Sequence, residues 1–267
     1  PFFDEVMKGV RYQEERLACY NCSILVRQIA YDDAQQLSAI EELLAQDVHG
    51  IVLAPYNAPA IAEKINALYE QHIPTVTVNT DIDHTRRIAY VGSNYFLSGE
   101  TAGGLMGLMT KGEIHAGIVL GSRQILCHTD RVAGFRNCIR KKYPHIHVTA
   151  TIQNQDDEVE SFHVTQTLLQ EHPEINALYF AAGGVYGGCK AIVAQNRAHA
   201  VTVITHDRVD TTRSFVQEGV ISATICQQPF LQGSQSLDIL FNYLTAGELP
   251  EKELNYVAAD IRIAENI

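Results

Sequence analysis

The sequence predicts an α/β fold built from doubly wound parallel sheets. Short apolar segments alternate with longer segments in which apolar residues recur at i, i+3, i+4 and i+7, the spacing of an amphipathic helix. The short segments are almost continuously apolar, which is typical of strands covered on both faces of a parallel sheet. At 267 residues, the chain has room for one large or two medium domains.

The elements follow one another from a first helix, predicted over Asp4–Leu17 and entered through the aromatic residues of PFF. The predicted strands are Ser23–Ile29, Gly50–Ala54, Thr75–Asn79, Ile88–Gly92, Gly117–Gly121, His147–Ile152, Ala177–Ala181, Val201–His206 and Ile221–Cys226. Helices lie between most of them, and the clearest periodicity is in DAQQLSAIEELLAQ, APAIAEKINALYEQ, RVAGFRNCIRKKY and VESFHVTQTLLQEH.

Charge and composition exclude several classes of protein. The net charge of -11 argues against direct binding of nucleic acid, because phosphate contacts need clustered Lys and Arg. No apolar run approaches the roughly 20 residues that cross a bilayer, so no membrane partner is expected. The cysteines lie mostly within predicted helices and strands, as buried hydrophobes that favour a reducing, cytoplasmic compartment. They are Cys19, Cys22, Cys127, Cys138, Cys189 and Cys226.

Polar residues follow the predicted strands, at the place where ligands bind in doubly wound sheets. These residues are Pro55–Asn57, Asn79–Asp81, Ser93–Asn94, Ser122–Arg123, Gln155–Asp157, Gly183–Gly184, Asp207–Arg208 and Gln227–Gln228. They are rich in amides, carboxylates and hydroxyls. This chemistry predicts a site that hydrogen-bonds a neutral polyhydroxyl compound.

Eight stretches, in this order, resemble the LacI/GalR family of regulators and the ribose-binding proteins, which share the type I periplasmic-binding-protein fold. They are PFFDEVMKGV, HGIVLAP, IPTVTVNTD, YVGSNYFLSGETAGGLM, DRVAGFRNCI, INALYFAAGGVYGGCKAI, VTVITHDRVD and GVISATICQQPFLQGSQSLDIL. Together they cover nearly the whole chain. The resemblance implies two doubly wound lobes joined by a hinge, 1–93 plus 228–251 and 94–227 plus 252–267, with a ligand cleft between them. It also implies a first strand missing upstream of Pro1.

The resemblance implies a sugar site with aromatic walls, polar acceptors and one arginine. Its members are Phe2, Phe3, Asn79, Thr80, Asp81, Arg131, Asp156, Asp207 and Gln227. Phe3 is expected to stack on the sugar ring, and Arg131 to donate to ring and hydroxyl oxygens. Asp207 is expected to accept from vicinal hydroxyls. Asn79 stands where many sugar binders carry an aspartate, so Asp81 is a candidate for that role.

Other patterns have two interpretations. Asp156 belongs to an acidic group that opens a helix, where N-capping is the alternative to ligand contact. GGVYGG is either a tight strand-to-helix turn or a phosphate-binding turn. His206 is either a ligand contact or a core residue, and the Cys19 and Cys22 pair is expected to be structural.

Together these observations predict the effector-binding core of a LacI-family regulator. It would be cytoplasmic and homodimeric, bind a sugar or sugar derivative, and contact DNA only through a helix-turn-helix missing upstream. The alternative is an exported sugar-binding protein or periplasmic sensor domain, and a third reading is an α/β enzyme that uses GGVYGG. No catalytic constellation, metal or cofactor is expected.

Overall fold

The computed structural model describes residues 2–29 and 32–267. The helices are α1 (Phe2–Leu17), α2 (Asp33–Leu44), α3 (Pro59–Glu70), α4 (Tyr95–Met109), α5 (Leu126–Lys142), α6 (Glu158–Glu171), α7 (Val185–Ala194), α8 (Asp210–Gln217) and α9 (Pro229–Ala246). The strands are β1 (Ile51–Leu53), β2 (Thr75–Val78), β3 (Ala89–Gly92), β4 (Ile114–Leu120), β5 (Ile146–Gln153), β6 (Ala177–Phe180), β7 (Thr202–His206), β8 (Ala223–Cys226), β9 (Leu254–Tyr256) and β10 (Asp260–Arg262).

The chain forms two units. Unit 1 comprises residues 1–93 and 228–258, and unit 2 comprises 94–227 and 259–267. Two of the three chain crossings lie where the resemblance implied them. The third lies at 258/259 rather than at 251/252, because β9 pairs with β3 and so stays with the sheet of unit 1.

Unit 1 contains a parallel sheet in the order β1-β2-β3-β9. β2 and β3 are buried along their whole length, including the threonines of β2, as strands covered on both faces of a parallel sheet are. Helix α3 starts with Pro59 in its first turn, a position where the missing N–H costs no hydrogen bond. Its apolar residues Ile61, Ile65 and Leu68 share one face and are fully buried.

The strand predicted over Ser23–Ile29 is wrong. Residues 22–29 have no regular secondary structure, and Leu25 and Val26 are exposed. A strand forms only when it is hydrogen-bonded to a neighbouring strand. Among the described residues, β1 stands at the edge of the sheet and pairs only with β2, so residues 22–29 are not paired with it. Residues 22–29, α1 and β1 together line an apolar cavity of about 820 Å³. The apolar residues of this segment therefore line a cavity beside β1 and do not form a strand.

Unit 2 contains a six-stranded sheet in the order β10-β8-β7-β6-β4-β5. All of its pairs are parallel except β10 with β8, an antiparallel edge that the sequence patterns did not predict. Ile118, Tyr179 and Phe180 at the centre of the sheet are completely or almost completely buried. The carboxyl ends of β4 to β8 meet at one edge, which we call the carboxyl edge of unit 2.

Two glycines bring α4 and α5 into backbone contact beside this edge. A Cβ atom at Gly99 would lie 2.0 Å from the carbonyl oxygen of Arg131, and one at Gly134 would lie 1.9 Å from that of Phe96. Only glycine permits such an approach. The contact fixes the turn of α5 that carries Arg131 against α4.

The described part of the chain contains no helix long and apolar enough to cross a bilayer. All six cysteines are free thiols. Cys127, Cys138 and Cys189 are buried as predicted, whereas Cys19 is exposed. The exposed position follows from a short 3₁₀ turn, Ala18–Tyr20, that ends α1 and contains no buried residue.

Candidate ligand-binding site

Arg131 is the central donor at the carboxyl edge of unit 2. Its side chain is 3% exposed, and its Nη1 donates to the carbonyl oxygen of Ala181 at 2.9 Å. The guanidinium carbon lies 4.8 Å from the ring centroid of Tyr95, within cation–π range. Its Nε and Nη2 are buried and have no hydrogen-bond partner among the described residues. Two buried donors without partners are what a hydroxyl-rich ligand would satisfy.

Asp207 provides the acceptor beside this donor. It follows β7 in a left-handed conformation with φ 66°, which Asp adopts more readily than most residues. Its Oδ2 accepts from Nε2 of Gln227 at 2.9 Å. Burial raises the pKa of Asp207, although the charge of Arg131 and the bond from Gln227 act in the opposite direction. Burial likewise disfavours the charge of Arg131, but its pKa is raised above the ordinary value because of Asp207. Each group thus stabilises the charge of the other.

His128 and Asp156 form a second polar pair at the same edge. Nδ1 of His128 accepts from the backbone N–H of Ser122 at 3.2 Å, and Nε2 lies 3.9 Å from Oδ2 of Asp156. Burial lowers the pKa of His128 to about 4, so the ring is neutral at pH 7. Asp156 is held in place because its Oδ1 accepts from the backbone N–H of Gly183 at 2.7 Å.

The acidic residues after β5 have different hydrogen-bond partners. Asp157 caps α6, since its Oδ1 accepts from the N–H of Glu160 at 2.8 Å. The capping interpretation therefore applies to Asp157, while Asp156 points toward Gly183 and His128. Asn154, which the sequence analysis did not select, is fully buried and donates to the carbonyl oxygen of Gly183 at 2.8 Å.

GGVYGG forms a structural turn. Gly184 has φ 74°, and a Cβ there would lie 2.4 Å from Nδ2 of Asn154. Oε2 of Glu158 accepts from the backbone N–H of Gly187 at 2.7 Å, in the first turn of α7. A carboxylate already takes up part of the donor capacity that a phosphate would need, and its charge would repel the phosphate. The structure therefore opposes the phosphate-binding reading.

His206 is packed in the core of unit 2, and its role as a ligand contact stays a prediction. It is 4% exposed, and its Nε2 lies 2.8 Å from the hydroxyl of Tyr179. Burial and the charge of Arg131 lower its pKa well below the ordinary value.

In unit 1, the predicted site residues Asn79, Thr80 and Asp81 follow β2 on one loop. Asn79 is buried with φ 64°, and the Oγ1 of Thr80 is buried without a hydrogen-bond partner among the described residues. Asp81 is already paired: its Oδ1 and Oδ2 accept from Nε and Nη2 of Arg87 at 2.6 and 2.5 Å. Arg87 also contacts Glu253. Asp81 thus has a structural partner, and its role as a sugar acceptor stays a prediction.

Phe2 and Phe3 lie in the first turn of α1 and are half-buried. Their rings meet edge to face at 5.4 Å between centroids. Phe3 also lines the apolar cavity of unit 1. Phe3 thus faces an apolar cavity within unit 1. The role of both rings as aromatic walls for a sugar stays a prediction.

The sequence analysis missed His128. The available signal was its spacing, because it stands three residues before Arg131 and so shares a helix face with it. Among the described residues, no group of three or more His, Cys, Asp and Glu side chains could hold a metal ion.

The sequence profile of a family described as periplasmic binding protein domain matches residues 1–249. Over 235 residues the chain is 23% identical to the ribose import binding protein RbsB of Bacillus subtilis (strain 168), covering 87% of this chain and 74% of that protein. Over 258 residues it is 22% identical to the D-allose-binding periplasmic protein of Escherichia coli (strain K12), covering 93% and 82%. Among solved structures, GanP, a glucose-galactose binding protein from Geobacillus stearothermophilus, matches with a TM-score of 0.91 at 25% identity, covering 100% of this chain and 94% of that one.

These matches confirm the predicted fold class, a periplasmic-binding-protein-like α/β fold with parallel sheets. They overturn the predicted cytoplasmic location, because the family and these relatives are described as periplasmic or as import proteins. The inference from cysteine content failed because a free thiol packed in a core is inert whatever the redox state outside. The comparisons give no support to a DNA partner or a homodimer.

Proposed function

The chain belongs to the periplasmic binding protein family, and from that premise we propose that it binds a monosaccharide outside the cytoplasm, as the binding component of a sugar importer. The relatives named above are called ribose, D-allose and glucose-galactose binding proteins, which supports a neutral monosaccharide as ligand. The core of a LacI-type regulator would have the same fold. Our preference for an importer rests on the names of the relatives. As a member of a family of binding proteins, the chain is not an enzyme.

One observation carries the proposal: Arg131 is buried at the carboxyl edge with Nε and Nη2 unpartnered. The carboxylate of Asp207 stands close enough to alter its pKa. A donor fork beside a fixed acceptor matches two neighbouring sugar hydroxyls, each of which both donates and accepts. The positive and negative charges balance, so the ligand itself needs no charge.

Isothermal titration calorimetry with ribose, allose, arabinose, glucose and galactose tests this proposal. At least one sugar should bind, and Arg131→Ala and Asp207→Ala should each weaken it by tenfold or more, about 1.4 kcal/mol. Arg140→Ala is the matched control, because Arg140 lies on the same helix with an exposed side chain. Failure to bind any of the five sugars, or unchanged affinity in both site variants, would contradict the proposal.

A further inference from the structure

We propose that His128 and Asp156 together bind one hydroxyl group of the ligand, and that this pair selects among sugars by the presence and orientation of that group. The inference rests on the proposed sugar-binding function. It adds a residue, His128, that neither the sequence patterns nor the resemblance indicated.

The hydrogen bond from Ser122 decides which nitrogen of His128 carries the proton. The backbone N–H of Ser122 donates to Nδ1 at 3.2 Å, so Nδ1 is the acceptor nitrogen of the neutral ring. The ring proton therefore resides on Nε2. This nitrogen is the one that faces Asp156.

The distance between the two side chains leaves a place for one oxygen atom. Nε2 of His128 and Oδ2 of Asp156 are 3.9 Å apart, which is too long for a direct N–H···O bond. An oxygen placed between them can lie about 2.8 Å from both, the ordinary length of such bonds. At this separation, one ligand oxygen placed beside the line that joins the two atoms can bond to both side chains.

Both members of the pair are fixed before any ligand arrives. Oδ1 of Asp156 is held by the N–H of Gly183 at 2.7 Å, which leaves Oδ2 to face His128. The side chain of Asp156 is 25% exposed and that of His128 is 7% exposed. The pair is therefore reachable at the carboxylate while its imidazole is largely desolvated, which strengthens a hydrogen bond made there.

A hydroxyl is the group that fits this pair. It accepts from the Nε2–H of His128 and donates to Oδ2 of Asp156, so both protein atoms are satisfied by one atom of the ligand. A phosphate or carboxylate oxygen would be repelled by Asp156, and an ammonium group has no lone pair for His128 to donate to. A deoxy analogue would leave both protein groups without a partner.

The pair lies at the same carboxyl edge of unit 2 as Arg131. His128 stands one helical turn before Arg131 on α5, and the charge of Arg131 is among the causes that lower the pKa of His128. A sugar hydroxyl between His128 and Asp156 would thus come from the same molecule that meets Arg131. The pair contributes discrimination between epimers, whereas Arg131 and Asp207 contribute general affinity.

Calorimetry with the best-binding monosaccharide and its series of monodeoxy analogues tests this inference. The unmodified protein should lose about tenfold or more in affinity for one deoxy analogue, since the buried imidazole of His128 and the partly buried carboxylate of Asp156 lose their partner. In His128→Phe and in Asp156→Asn, the loss for that same analogue should shrink to less than about threefold, while the losses at other positions persist. Asp156→Asn keeps the acceptor for Gly183 but turns an amide NH2 group toward His128, so it serves if His128→Phe does not fold. His147→Phe is the matched control, because His147 pairs with Glu113 on an exposed surface.

Each outcome separates this inference from the proposed function. Discrimination that stays the same at every hydroxyl in both variants overturns the role of the pair while sugar binding stands. Failure of the unmodified protein to bind any monosaccharide overturns both. Loss of discrimination at a single hydroxyl in both variants supports the pair.

Discussion

Acidification from pH 7 to pH 5 should destabilise the protein through His128. Burial lowers the pKa of this side chain to about 4, with Asp156 raising it and Arg131 lowering it. The same side chain in the unfolded chain titrates near its ordinary value of about 6.5. Between these values the unfolded state binds a proton that the folded state does not, so the free energy of unfolding decreases as the pH falls from about 6.5 to about 4.

The size of the effect follows from the two pKa values. Each pH unit between them costs about 1.4 kcal/mol. Only the part of the range between pH 6.5 and pH 5 contributes on going from pH 7 to pH 5. The free energy of unfolding should therefore fall by about 2 kcal/mol because of this one residue.

Urea unfolding at pH 7 and at pH 5 measures this effect. His128→Gln can still accept from the N–H of Ser122 but does not titrate, so its free energy of unfolding should fall by about 2 kcal/mol less than that of the unmodified protein. His206 is also buried, and the main causes that lower its pKa, burial and the charge of Arg131, are present in both proteins. His147→Gln, at an exposed position, should behave as the unmodified protein does. Equal losses in the unmodified protein and in His128→Gln would refute the reasoning.

Three further variants test contacts within unit 1 or within unit 2. Arg87→Ala should lower the free energy of unfolding of unit 1 by roughly 3 kcal/mol, because it leaves a half-buried carboxylate unpaired; a loss below about 0.5 kcal/mol in urea would count against the ion pair. Gly184→Ala should destabilise the protein more than Gly112→Ala, since both have positive φ but only the Cβ at Gly184 meets another side chain; equal melting temperatures of the two variants would contradict this. Tyr179→Phe should cost about 1 to 3 kcal/mol by leaving Nε2 of His206 unpaired, and hydrogen exchange in β6 and β7 should rise; unchanged exchange would exclude that role.

Much of the fold could be predicted because strands that are buried on both faces of a sheet have nearly continuous apolar sequences. Eight of the nine predicted strands lie where β1 to β8 form, with boundaries shifted by up to three residues. The exception, Ser23–Ile29, has the apolar composition but no neighbour on the sheet. Strand formation depends on a partner elsewhere in the chain, which a local pattern does not contain.

The edge strands β9 and β10 escaped prediction for a related reason. Leu254–Tyr256 and Asp260–Arg262 are three residues each, contain polar side chains and have no fully buried residue. Their pairing with β3 and β8 comes from tertiary contact and not from local propensity.

The sequence predicted where several candidate residues lie, and their role in binding a ligand stays a prediction. Arg131, Asp207 and Gln227 lie together at one sheet edge, because the carboxyl ends of parallel strands must meet there. The pairing of Asp81 with Arg87 and the inward turn of His206 could not be predicted, since a side-chain direction depends on which partner comes within hydrogen-bonding distance. A sequence position identifies the edge, but only the packed structure decides which polar groups remain for a ligand.

Several residues that follow strands have a left-handed backbone conformation, which is unfavourable in free energy for residues other than glycine. Asn79, Asp156 and Asp207 follow β2, β5 and β7 with φ of 64°, 57° and 66°. Such conformations cost about 1 kcal/mol or more for a residue with a Cβ, and Asn and Asp tolerate them best because of their short polar side chains. The surrounding sheet must hold these residues in place, and doing so aims their carboxylates and amides at fixed points. In unit 2 that rigidity keeps Asp156 opposite His128 and Asp207 beside Arg131, so the acceptors are positioned by the fold before a sugar binds. Under the proposed function, specificity for one hydroxyl would follow from these backbone conformations, which polar composition alone does not predict.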